Sequence, residues 1–163
     1  MKKILTVRQA TNLAKELNKE NKKIVLVGGC FDILHVGHVL FLEKAKEKGD
    51  VLFVWIESDE TIRKSKGKLR PIHIQKERAT VVAALYCVDY VVSLPHFTDN
   101  KHYDNLVKMI KPAIIAATKG DPEIIHKKRS AKLVGATVSY VTKRVNNAST
   151  SHLAQRIQQE EQL

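Results

Sequence analysis

Five short runs of apolar residues, separated by stretches of helical spacing, constrain this chain more than any other feature. They are Ile24-Val25-Leu26-Val27, Val51-Leu52-Phe53-Val54-Trp55-Ile56, Tyr90-Val91-Val92, Ala113-Ile114-Ile115-Ala116-Ala117 and Thr137-Val138-Ser139-Tyr140-Val141. A strand that is apolar at successive positions has no face to give to water, so it belongs in a sheet covered on both sides. Between the runs, the apolar spacing predicts helices over roughly 38–48, 74–86, 102–110 and 122–133, with an opening helix over 7–21 and a closing one over 150–160. Strands alternating with helices imply right-handed crossovers between parallel neighbours. The expectation is a single-domain, Rossmann-like, doubly wound α/β fold: a five-stranded parallel sheet with helices on both faces. Residues 1–163 form one domain in this reading, with 1–21 an N-terminal helix and 22–157 the core. Ligands of such folds sit at the carboxyl ends of the strands, which puts the loops after Val27, Ile56, Ala117 and Val141 around one crevice.

Composition narrows the function classes. No apolar run approaches the roughly 18 residues of a membrane span. The apolar stretch at the start is too short for a signal peptide. Cys30 and Cys87 lie far apart and read as reduced thiols of a cytoplasmic protein. An excess of 28 basic over 17 acidic side chains gives a charge of +11, which attracts nucleic acid, an anionic surface or a small phosphorylated ligand. With 6% aromatic residues the chain has little to stack on bases, and its cations gather in the loops assigned to the crevice. A nucleic-acid-binding module and a membrane partner are therefore disfavoured against a small phosphorylated ligand.

The first crevice loop carries the chemistry. Gly28-Gly29 is followed by Cys30-Phe31-Asp32 and then by His35-Val36-Gly37-His38, which opens a helix. Helix amino termini hold unsatisfied N–H groups and a partial positive charge, and phosphates settle there. His35 and His38 are three apart, which puts both imidazoles on one side of the first turn. Gly37 between them has no side chain to obstruct a ligand. Two such donors can stabilise the charge that develops on a pentacoordinate phosphorus. A lone histidine here would read as a cap or a core residue; the pair after a strand and a Gly-Gly turn argues against that. A zinc site on Cys30, His35 and His38 lacks a fourth ligand at a familiar spacing, so no resident metal is assigned.

Gly-Cys-Phe-Asp-Ile-Leu-His-Val-Gly-His resembles the signature of the cytidylyltransferase-like nucleotidyltransferase superfamily. Within it the chain is similar to glycerol-3-phosphate cytidylyltransferase and, more closely, to the adenylyltransferase domain of ADP-heptose synthase. The resemblance runs over about 22–157 and implies that His35 and His38 hold the nucleotide's phosphates. It implies too that Gly29, Cys30, Phe31 and Asp32 line the nucleotide pocket.

A basic run follows the second strand: Arg63, Lys64, Lys66, Lys68 and Arg70 around Gly67. A charge run is usually a solvated face, but one placed at a strand's carboxyl end can form a flap over an anion. By the resemblance Lys66 approaches the phosphates, with Lys64 the alternative one step of register away. Gln75-Lys76-Glu77-Arg78 resembles the family segment whose arginine reaches the active site, so Arg78 and Lys64 are candidates for a substrate phosphate. Arg78 paired on the surface with an acidic side chain is the competing reading. Thr118-Lys119-Gly120-Asp121 occupies the place of the family's nucleotide-contacting loop, although a plain turn before a helix at Pro122 would look the same. Ser149, Thr150 and Ser151 match a hydroxyl run that touches the triphosphate, with Arg144 as its arginine, although Asn146-Asn147-Ala148 departs from the family's pattern. On structural grounds alone those hydroxyls cap a helix.

The implied reaction is attack by a substrate phosphate on the α-phosphorus of ATP or CTP, releasing pyrophosphate. The phosphate is already an anionic nucleophile, so alignment and charge neutralisation by His35, His38, Lys66 and the last helix terminus suffice. Mg²⁺ accompanies the nucleotide, held mainly by phosphates and water. Adenylyl transfer to a heptose 1-phosphate or similar sugar phosphate is favoured. Cytidylyl transfer to glycerol 3-phosphate or another small phosphorylated alcohol is the alternative. The resemblance further implies a homodimer.

Overall fold

The computed structural model describes residues 3–143. Its sheet has six strands, one more than the apolar runs predict. The addition is β1 (Ile4–Leu5), followed by α1 (Val7–Lys19) and β2 (Ile24–Gly29). Then come α2 (Val36–Lys46), β3 (Val51–Ile56), α3 (Asp59–Lys66), α4 (Gln75–Ala83) and β4 (Tyr90–Ser93). The described chain finishes with α5 (Asn100–Ile110), β5 (Ile114–Lys119), α6 (Ile124–Val134) and β6 (Thr137–Lys143). The five-strand count is thus corrected to six. A two-residue strand produces no periodicity; Ile4 and Leu5 are extended because they pair with Val91 and Val92 at the sheet's edge.

Every pairing is parallel and the strand order is β1-β4-β3-β2-β5-β6. From β2 the chain moves outward through β3 and β4, then returns to the other side of β2 for β5 and β6. This reversal is the switch point of a doubly wound sheet, and it opens the crevice between the carboxyl ends of β2 and β5.

The continuous apolar strands are explained by two cores. Val25, Val27, Leu52, Val54 and Ile56 pack with Leu42 and Ala45 of α2 and Ala79 and Val82 of α4. Ile24, Leu26, Phe53 and Trp55 face the other way, onto Ala10 and Ala14 of α1, Leu106, Val107 and Ile110 of α5, and Ala131 of α6. Each large side chain so buried contributes about 1.5–3 kcal/mol. Where α2 returns into β3, Gly49 is required: a Cβ there would lie 2.7 Å from the Lys23 carbonyl oxygen.

One further element departs from expectation. The basic run anticipated as a flap loop ends a helix, α3. Ser58 caps it by accepting from the Thr61 N–H, Asp59 and Glu60 occupy its first turn, and Arg63, Lys64 and Lys66 its last. Those charges complement the helix dipole, but only Ile62 is buried, so apolar spacing carried no signal.

Candidate active site

β2 delivers the chain to the crevice at Gly29, and the next turn is strained. Phe31 and Ile33 both adopt φ of +47°, a left-handed conformation that is costly for a β-branched residue such as Ile33. Phe31 is buried in the α2–α4 core, so it reaches the site only through its ring, 5.4 Å from that of His38. A Cβ on Gly29 would stand 3.0 Å from the Phe31 ring, which explains the glycine there. The turn ends at His35, the N-cap of α2, with Gly37 and His38 in the first helical turn.

The two imidazoles stack, with centroids 3.8 Å apart and planes inclined by 27°. His38 Nδ1 accepts the His35 backbone N–H at 3.4 Å, so Nε2 carries its proton when the ring is neutral. His35 Nδ1 is buried without a partner among the described residues. An orphaned polar atom beside a helix amino terminus is a place for a ligand's hydrogen-bonding group. Burial lowers the pKa of His35, and burial together with the nearby His35 and Lys66 pushes His38 down to about 4, against a pull from Asp32. Both rings are therefore neutral at pH 7. Because the unfolded chain takes up these protons near pH 6.5 and the folded one does not, stability falls as pH drops from about 6.5 towards 4. For His38 the loss is on the order of 3 kcal/mol. Urea unfolding at pH 7 and pH 4.5 should show a smaller acid loss in His38→Asn than in the parent chain; equal losses would refute the neutral pair.

Asp32 does not line an open pocket. Its side chain is fully buried and takes Arg70 Nε at 2.7 Å and the backbone N–H groups of Ile72 and His73 at 3.0 Å. These contacts hold its carboxyl below the usual range despite burial. Asp32 thereby ties the histidine turn to the segment leading into α4. Arg78 on α4 completes the frame, neither exposed nor free. The residue is 2% exposed, and its guanidinium donates to the carbonyls of His73 at 2.9 Å, Glu57 at 2.8 Å and Cys30, and to Asp59 Oδ1 at 2.7 Å. The Cys30 side chain is half-buried in the turn whose backbone Arg78 holds.

The cations of α3 separate. Lys64 is engaged by Glu60 at 3.0 Å and by His96 Nε2 at 2.9 Å. Lys66 is exposed, has no bonded partner among the described residues, and lies close enough to His38 to depress its pKa. At the end of β5, Lys119 is exposed and Gly120 turns the chain at φ +83°. Asp121 is occupied, accepting from the Glu123 N–H at 2.8 Å and Lys127 Nζ at 2.6 Å, as a turn before α6 requires. Arg144, Ser149, Thr150 and Ser151 lie outside the described residues.

No local pattern marks a second polar group at the crevice. Glu57, immediately after β3, donates its N–H to the Gly29 carbonyl at 3.1 Å and accepts the Tyr103 hydroxyl at 2.7 Å. Thr61 Oγ1 lies 2.9 Å from Ser58 Oγ and 3.0 Å from His96 Nδ1. The contacts of Thr61 with His96 and of Glu57 with Tyr103 span 35 and 46 residues of chain, so only the fold assembles them.

A phosphate-ready helix terminus at a doubly wound switch point agrees with comparison to known proteins. The cytidylyltransferase-like family model matches residues 26–156. The chain belongs to that family. Across 97% of its length this cytidylyltransferase-like chain is 40% identical to the bifunctional protein HldE of Aliarcobacter butzleri, of which it covers 32%. It is 42% identical to HldE of Geobacter metallireducens, over 83% of this chain and 27% of that one. The chain thus spans about a third of the length of these relatives. Among solved structures it is similar to a lipopolysaccharide core biosynthesis protein from Thermoplasma volcanium, with a TM-score of 0.60 and 32% identity over 76% of this chain and 97% of the other. A pantoate-beta-alanine ligase from Francisella tularensis shares the fold at 17% identity, with a TM-score of 0.59 over 88% of this chain and 68% of the ligase.

Proposed function

We propose that this chain is a nucleotidyltransferase that transfers AMP from ATP to a heptose-type sugar 1-phosphate and releases pyrophosphate. An acceptor phosphate oxygen bonds to the α-phosphorus while the bond from that phosphorus to the bridging oxygen of the β-phosphate breaks. No proton need leave the nucleophile, so no general base is required. The carrying observation is the stacked, neutral His35–His38 pair at the start of α2, with an unpartnered nitrogen, in the β2–β5 crevice. Adenylyl transfer to heptose is supported by the motif resemblance to the adenylyltransferase domain of ADP-heptose synthase and by the similarity to the bifunctional HldE proteins over most of this chain. Mg²⁺ enters with the nucleotide in this reading. Among the described residues no three His, Cys, Asp or Glu side chains gather around a metal position, so phosphates and water would supply its ligands. No described helix is long and apolar enough to cross a membrane. A cytoplasmic homodimer belongs to the same proposal, and sedimentation of the purified chain tests the dimer.

The deciding experiment measures pyrophosphate release for ATP and CTP against sugar and polyol phosphates. Release with ATP and heptose 1-phosphate is expected. Release only with CTP and a phosphorylated alcohol such as glycerol 3-phosphate would transfer the assignment to a cytidylyltransferase, and no release with any pair would sink the enzyme reading. Within the same assay Lys66→Ala should lower kcat/KM by about ten- to a hundredfold, as loss of a charge-assisted phosphate contact does. Lys64→Ala should change it by less than about threefold, because Lys64 is held by Glu60 and His96. The reverse ranking would assign the phosphate contact to Lys64.

A further inference from the structure

In a crevice that collects phosphates, an acidic side chain close to the histidine turn needs an explanation. Glu57 follows β3, and strand alternation places its side chain on the α5–α6 side of the sheet, opposite the α2 side that carries the histidines. One carboxylate oxygen takes the Tyr103 hydroxyl at 2.7 Å, while the other has no partner among the described residues. Burial raises the Glu57 pKa, and Arg78, the nearby cation, spends its donors on backbone carbonyls and Asp59. A carboxylate in that setting repels phosphate and welcomes a neutral hydrogen-bond donor. Its neighbours are polarised in the same sense. Lys64 donates to His96 Nε2, which leaves His96 Nδ1–H to donate to Thr61 Oγ1, and Thr61 stands beside Tyr103. We propose that Glu57, flanked by Tyr103 and Thr61, is the hydroxyl-recognising lip of the crevice and selects a polyhydroxylated acceptor over a plain phosphate. The network runs from Glu57 through Tyr103 and Thr61 to His96 beyond β4, and Glu123 at the start of α6 adds a second negative charge near Glu57 and Tyr103. The lip therefore keeps phosphates off and takes a hydroxyl-bearing group; the ATP KM separates an acceptor there from the nucleotide's ribose. This inference rests on the transfer reaction proposed above.

The test uses the full chain and two readouts. In pyrophosphate release with ATP and heptose 1-phosphate, Glu57→Ala should raise the acceptor KM by about tenfold or more, the scale of a hydrogen bond to a charged group. The ATP KM should stay within about twofold, and Glu57→Gln should recover part of the loss. In calorimetric titration without nucleotide, the parent chain should bind heptose 1-phosphate more tightly than inorganic phosphate, and Glu57→Ala should erase that difference by weakening heptose 1-phosphate binding, with phosphate affinity equal or higher. A rise in the ATP KM in place of the acceptor KM, or equal affinities for the two phosphates in the parent chain, overturns the inference. A parent chain that prefers heptose 1-phosphate yet releases no pyrophosphate overturns the reaction alone, and the Glu57→Ala titration still decides the lip.

Discussion

Arg78→Met should cost about 3–5 kcal/mol of folding stability, more than any surface substitution in this chain. Methionine fills much of the same volume, so the loss isolates the polar contacts. Without the guanidinium, the carbonyls of Cys30, Glu57 and His73 lose a donor, and Asp59 loses its buried partner. Each acceptor left unsatisfied in a buried site carries its own desolvation cost. Urea denaturation should show a lower midpoint with an unchanged slope. A loss under about 1 kcal/mol would mean that water replaces the arginine and that the turn after β2 is held by its own packing. Arg78→Lys should recover little, since a single ammonium cannot span acceptors that come from the ends of two strands and the entry to α4.

The second large effect is on chemistry. His38→Ala should lower kcat by about a hundred- to a thousandfold, the range seen when a preorganised donor to a developing charge is removed. The fold should survive at pH 7, because a neutral imidazole contributes no ion pair and its one hydrogen bond among the described residues is to the His35 N–H. Pyrophosphate release and urea unfolding measured on the same preparation separate the two effects. Turnover near the parental rate would show that the phosphates bind elsewhere. A parallel collapse of stability would show that the ring is needed for the α2 terminus itself.

Much of this architecture was legible in the residue pattern because periodicity is a local property. Apolar residues at every position of 51–56 can only belong to a strand covered on both faces, and Leu52 and Phe53 do lie in opposite cores. The histidine loop was legible for a similar reason: a strand, a glycine pair and a helix start are adjacent in sequence. By contrast β1 and α3 were invisible, since two apolar residues or one buried Ile62 cannot establish a period.

What the sequence determined by itself is the parallel sheet, the crevice at the carboxyl ends of its strands and the placing of His35 and His38 at a helix start within it. The tertiary structure decided which charged groups are free to act. Asp32, Lys64, Arg78 and Asp121 all resemble site residues in sequence, yet each is bound by protein partners. Lys66, Lys119 and one oxygen of Glu57 remain available among the described residues. The reason is distance along the chain. Backbone state is set within a few residues, but a charged side chain is satisfied by whatever the fold brings beside it, and Asp32 meets Arg70 across 38 residues and Arg78 meets Cys30 across 48.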